Sequence, residues 1–211
     1  MANKQWPLAT RFLHLGMVLT ISANLLISEI MAEPDDRGTE IGKMLYQAHE
    51  IIGLSALVIV LLHWAWSLAS YRDGNLAHLF PWLFEGMDQV WRDMAGIFKG
   101  NMPQAGGGLG GLPGLIHGLG LLAVTGIVVS GAIYYFSDPN LHGKSLLQEG
   151  SEELHEFFAG FVWVYWIGHG GAALLHHLRG HEYVKNMFSF FGKNRKTGKL
   201  RKTSRSATSM Q

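Results

Sequence analysis

The chain has 211 residues, of which 48% are apolar and only 16% charged, with a net charge of +1 and no cysteine. Soluble domains carry about 25% charged residues, and the charges here are clustered, so that long stretches hold none. The lack of cysteine excludes covalent c-type haem, Cys-ligated iron–sulfur clusters, disulfides and thiol nucleophiles, and a net charge so near zero argues against nucleic-acid binding.

Taken in chain order, the first apolar segment covers residues 8–30, with no acidic or basic residue from Phe12 to Ser28. Lys4 and Arg11 lead into it as they would into a signal peptide. The run is long, however, holds His14 and is followed by no small-x-small cleavage pattern, so it is expected to be retained. The second segment, residues 44–70, is free of charge from Ile51 to Ser70. The connection over 73–111 is long for a compact bundle. Within it, Phe84, Met87, Val90, Trp91 and Met94 recur at helical spacing and predict an amphipathic helix lying on the membrane surface. The "GGGLGG" that closes this connection follows no strand and is read as a hinge rather than a phosphate loop. The third segment, 112–136, and the fourth, 153–178, complete the set. A membrane helix needs roughly 20 mostly apolar residues. The expectation is an all-α integral membrane four-helix bundle over residues 1–180, followed by a basic tail over 181–211.

Orientation follows from Lys and Arg placement. The N-terminus, the 71–111 connection and the tail hold fourteen of the seventeen, against Arg37, Lys43 and Lys144 on the other side. Both termini are therefore expected to be cytoplasmic. The tail reads first as a solvated, topology-setting segment, with binding to anionic headgroups secondary.

Histidines occur inside the spans, where polar side chains are rare and face the interior. His49 and His63 are fourteen residues apart, and so are His155 and His169. Fourteen residues make about 1400°, roughly 40° short of four turns, so each pair shares a face with its members about 21 Å apart along the axis. His49 and His155 form an outer layer. His14, His63, His117 and His169 form an inner one. Zinc wants three or four converging ligands, and the outer layer has only two. Haem iron takes axial histidines, and a ligand imidazole is neutral, which suits a low-dielectric site. Spacing pairs His49 with His155 but leaves His14, His63 and His117 open as the partner of His169. Glycines near these rings (Gly53, Gly118, Gly120, Gly160, Gly168, Gly170, Gly171) admit two readings: space for a flat ligand, or ordinary close packing of helices in lipid.

The stretches "TRFLHLGMVLT", "LYQAHEIIGLSALVIVLLHWAW" and "ELHEFFAGFVWVYWIGHGGAALLHH" resemble the bacterial di-haem cytochrome b561 family, which is related to the cytochrome b subunits of membrane hydrogenases and formate dehydrogenases. The resemblance covers all four spans and not the tail. It implies two non-covalent haem b groups in the bacterial inner membrane. One would lie between His14 and His169 on the cytoplasmic side, the other between His49 and His155 on the periplasmic side. Arg11, Gly53, His63 and His117 would contact the cofactors. The sequence departs from the family at His63, where an arginine near a haem propionate is usual; His63 would take that contact or replace His14 as ligand. His176 and His177 would face headgroups, propionates or a quinone.

No soluble catalytic domain is present within the chain. The implied function is electron transfer between a quinone and a partner, either a redox protein or a small oxidant such as superoxide. A superoxide:quinone oxidoreductase and a membrane-anchor subunit of a hydrogenase or dehydrogenase differ chiefly in that partner. A homodimer is compatible with the pattern. A His-rich metal-ion transporter is the rival class. It would use Glu50 and Glu156, which follow histidines directly but point about 100° away from them on a helix.

Overall fold

Each of the four apolar segments becomes one long helix, because a backbone in hydrocarbon must satisfy its own hydrogen bonds. The computed structural model describes residues 6–32, 39–69, 75–101, 103, 110–137, 145–180 and 183–189. The helices are α1 (Leu8–Ser28), α2 (Glu40–Ala69), α3 (Asn75–Leu79), α4 (Met87–Phe98), α5 (Gly111–Phe136), α6 (Leu146–Leu178) and α7 (Tyr183–Phe188). Among the described residues there is no strand. The four long ones, α1, α2, α5 and α6, are each long and apolar enough to cross a membrane. Their outward faces carry apolar side chains: Leu19, Leu61 and Val164 are all more than half exposed, as lipid contact requires. The basic tail beyond residue 189 and most of "GGGLGG" lie outside the described residues.

Two spans run further than their apolar stretches. α2 begins at Glu40, where Lys43 forms an ion pair with Glu40 at 3.3 Å. α6 begins at Leu146, capped by the Ser145 side chain, which accepts from the Gln148 N–H at 3.2 Å. At 33 residues it is about 50 Å long, well beyond a hydrocarbon core of about 30 Å. Its first turns, with Glu149, Glu152 and Glu153, belong outside that core.

The amphipathic helix of the long connection is shorter than its spacing predicts. Pro81 opens a turn over residues 81–85, Glu85 takes a positive φ of 57°, and α4 starts only at Met87. Phe84 therefore lies outside it. Val90 is buried while Trp91 and Phe98 are exposed, so α4 is amphipathic as expected. Asp93 ties it to the bundle. One carboxylate oxygen accepts from the Leu112 N–H at 2.9 Å, satisfying an orphan donor at the start of α5, and the other accepts from Gln89 at 2.7 Å.

Lipid offers helices no hydrophobic reason to associate, so small residues and interhelical hydrogen bonds must hold them. Three indole N–H groups donate across helix pairs: Trp64 to Thr125 at 3.0 Å, Trp66 to Thr10 at 3.0 Å and Trp166 to Ser22 at 2.8 Å. α5 meets α6 through glycines. Cβ atoms at Gly120 and Gly126 would overlap the Tyr165 and Phe158 rings, and one at Gly118 would meet the Leu79 carbonyl of α3's last residue. Gly118 and Gly120 are thus used in packing, not in making room for a flat ligand. Gly160, Gly168, Gly170 and Gly171 face open space.

The packing makes a direct expectation. Gly126→Ala should destabilise the bundle by about 1–3 kcal/mol, the usual range for overpacking. Gly150→Ala, where nothing lies within 4 Å, should be neutral or stabilise by up to about 1 kcal/mol through helix propensity. Thermal unfolding of both variants in detergent, followed by circular dichroism, checks the contrast.

Candidate cofactor site: two facing histidine pairs

The face of α2 that carries His49 and His63 also carries Ala56 and Val60 between them. On α6, Val162 lies seven residues from both His155 and His169. Ala56, Val60 and Val162 are essentially inaccessible and pack with Leu25, Val124 and Val128 into one cluster. The interior is therefore layered: imidazoles, an aliphatic septum, imidazoles. α1 and α6 barely touch, which leaves the rings of α6 facing α1 and α2 across a gap.

In the outer layer the His49 and His155 ring centroids are 6.1 Å apart, with planes 78° from parallel. His155 Nδ1 lies 2.9 Å from the Ile127 carbonyl and 3.4 Å from the Ser130 hydroxyl. A carbonyl only accepts, so Nδ1 carries the hydrogen and Nε2 of the neutral ring keeps its lone pair. The Ser130 hydroxyl itself donates to the Gly126 carbonyl at 2.8 Å. Gly131 makes this seat, since a Cβ there would stand 2.9 Å from the His155 ring. Among the described residues His49 Nδ1 is buried without a hydrogen bond of normal geometry. Both rings line a cavity of about 310 Å³ to which all four long helices contribute, among them Asn24, Tyr46, Gly53, Gly131, Tyr134 and Val162. Glu50, Glu152 and Glu156 also line it, and no Lys or Arg does among the described residues.

In the inner layer the His14 and His169 centroids are 6.3 Å apart, at 63°. His117 is closer to His169, at 4.9 Å, and its Nδ1 lies 2.5 Å from the Pro113 carbonyl. Tyr165, one turn before His169, stacks on its ring at 5.2 Å. Phe188 of α7 lies 5.8 Å from His14. His14 Nδ1 is buried with no hydrogen-bond partner among the described residues. His63 turns to its own helix, with Nδ1 3.4 Å from the Ser67 hydroxyl. Arg11 points to α7, donating from Nε to the Met187 carbonyl at 3.2 Å and from Nη2 to the Ser189 carbonyl.

These distances suit a metal held between two rings. Metal–nitrogen bonds of about 2 Å each, plus about 1 Å from each nitrogen to its ring centre, put two trans imidazoles roughly 6 Å apart. The 6.1 and 6.3 Å pairs match; 4.9 Å between His117 and His169 is too short. Among the described residues no cluster of three or more His, Asp or Glu converges as a metal cage. Each layer thus presents one pair of rings at that separation. Sequence spacing had missed Gly131, the Ile127 and Pro113 carbonyls, Tyr165 and Phe188, because each reaches its histidine from another element or from one turn away.

An apolar bundle with paired, inward imidazoles at two depths is the chemistry of a membrane protein suited to hold a cofactor. The family model for prokaryotic cytochrome b561 matches residues 5–190. The chain belongs to that family, and is a membrane-bound, haem-b-binding electron-transfer protein. Among curated proteins and among solved structures, none matches it.

Gly131→Val tests the seat of His155. The larger side chain should displace that ring and lower the haem content per polypeptide, whereas Gly160→Val, in open space, should leave it unchanged. Pyridine haemochrome assays on the two purified variants make the comparison.

Proposed function

We propose that the protein carries electrons across the bacterial inner membrane, between a quinone and a redox partner, through two b haems. The observation that carries this is the pair of facing imidazoles at each of two depths, 6.1 and 6.3 Å apart. His49 and His155 hold the periplasmic-side haem, and His14 and His169 the cytoplasmic-side haem. Both termini are then cytoplasmic, the first 180 residues form the cofactor-bearing unit, and the basic tail sits at the cytoplasmic surface. Bound haem supplies one-electron redox chemistry; the protein supplies ligation, orientation and a dry surround. Two histidines held for each haem would leave bound haem no place for oxygen, which suits electron transfer. The Ile127 carbonyl sets the tautomer and basicity of His155. The septum of Ala56, Val60 and Val162 keeps water out between the layers. His117 acts as a neighbour of His169 rather than a ligand, and His63 as a polar contact at the inner haem's edge. Gly53 lines the outer cavity.

The carboxylates around that cavity favour a neutral quinol or a cationic protein as the outer partner over a small anion such as superoxide, which like charge repels. The metal-transporter rival has no converging ligand cluster among the described residues to rest on.

Single-alanine variants test the pairing. The parent should hold about two haem b per chain, two imidazoles to each iron. His49→Ala and His155→Ala should lose the same redox wave, and His14→Ala and His169→Ala the other. His63→Ala should keep both haems and shift only the inner wave. Potentiometric titration with haem assay reads all five, and loss of a haem from His63→Ala but not from His14→Ala would reverse the inner assignment.

A further inference from the structure

Arg11 lies three residues before His14, on the same side of α1, and is only 4% exposed. A guanidinium is almost never buried so deeply without partners. Nε donates to Met187 and Nη2 to Ser189, whose carbonyls lie at the end of α7, where helical carbonyls lack intrahelical partners. Between these two residues stands Phe188, with its ring 5.8 Å from His14. Gly180, with a φ of 81°, lets the chain turn after α6, and α7 then packs on both α1 and α6. Sequence reasoning placed Arg11 on the cofactor. In the structure Nε and Nη2 reach the end of α7.

We propose that Arg11 is a positioning residue: its guanidinium clamps the end of α7 and so holds Phe188 as a cover over His14. The clamp needs a fork of donors, because two carbonyls two residues apart must be reached at once, and a lysine ammonium offers no such fork. The cover keeps water from that side of the inner pair. Water stabilises the more highly charged oxidised haem, so a loosened cover lowers the inner potential. This rests on His14 being an inner ligand.

The full-length, haem-loaded protein serves for the test. Lys185 sits within α7, so trypsin cuts there only when α7 opens. In both Arg11→Gln and Arg11→Lys, cleavage after Lys185 should accelerate by about tenfold or more, in line with the loss of hydrogen bonds to a charged donor. The inner potential should fall, the outer should not move, and the haem content should stay that of the parent. Phe188→Ala should lower the inner potential in the same way, and carries the test if the Arg11 variants fail to accumulate. Parental potential and cleavage in all three variants would overturn the clamp. Restoration by Arg11→Lys of what Arg11→Gln loses would overturn it too, since charge alone would then suffice. His14→Ala separates the two claims. If it keeps both haems, the ligand assignment fails. If it loses the inner haem while the Arg11 and Phe188 variants match the parent, only the clamp fails.

Discussion

A histidine ring in the hydrocarbon zone has no water to bond with, so it must turn inward and find its partner within the protein. Six such rings shape this bundle, of which His63 turns to Ser67 of its own helix. His155 is anchored through Nδ1 on the Ile127 carbonyl, and His117 on that of Pro113. His49 stands beside His155, and His14 beside His169, with ring centroids 6.1 and 6.3 Å apart. The helices must then stand apart at the two layers and close together between them. Ala56, Val60 and Val162 close the middle, and the Gly126–Phe158 and Gly120–Tyr165 contacts hold α5 tightly on α6. The indole–hydroxyl bonds of Trp64, Trp66 and Trp166 do for α2 and α6 what packing alone does poorly in lipid.

Glycine shows how one residue type serves different ends. Gly131 brings a helix backbone against the His155 ring, and Gly120 and Gly126 admit aromatic rings. Gly168, Gly170 and Gly171 lie on the exposed side of α6, where a Cβ would meet nothing within 4 Å. Close packing explains the first group. The last group takes no part in helix contact.

The four spans and the two depths were legible from charge-free runs and a fourteen-residue spacing, because both depend on local geometry along one helix. The family was legible in the same stretches. The lateral arrangement around His169 was not, since spacing along an axis says nothing of lateral distance; the structure puts His14 6.3 Å and His117 4.9 Å from it, ring centre to ring centre. The reach of Arg11 to the C-terminal segment was hidden for a similar reason. Its partners are 176 and 178 positions away in sequence, brought close by a turn at Gly180. The start of α4 was set by Pro81 and Glu85, local breaks that override the periodicity of Phe84.

Electron paramagnetic resonance of the oxidised wild-type protein tests most directly the claim of two paired-imidazole irons. The ring planes are 78° and 63° from parallel, far from the coplanar arrangement. The account predicts two low-spin ferric signals of the strongly anisotropic type that tilted axial imidazoles give, equal in intensity and together accounting for all the haem. A single low-spin signal, or a substantial high-spin fraction in the intact protein, would contradict it.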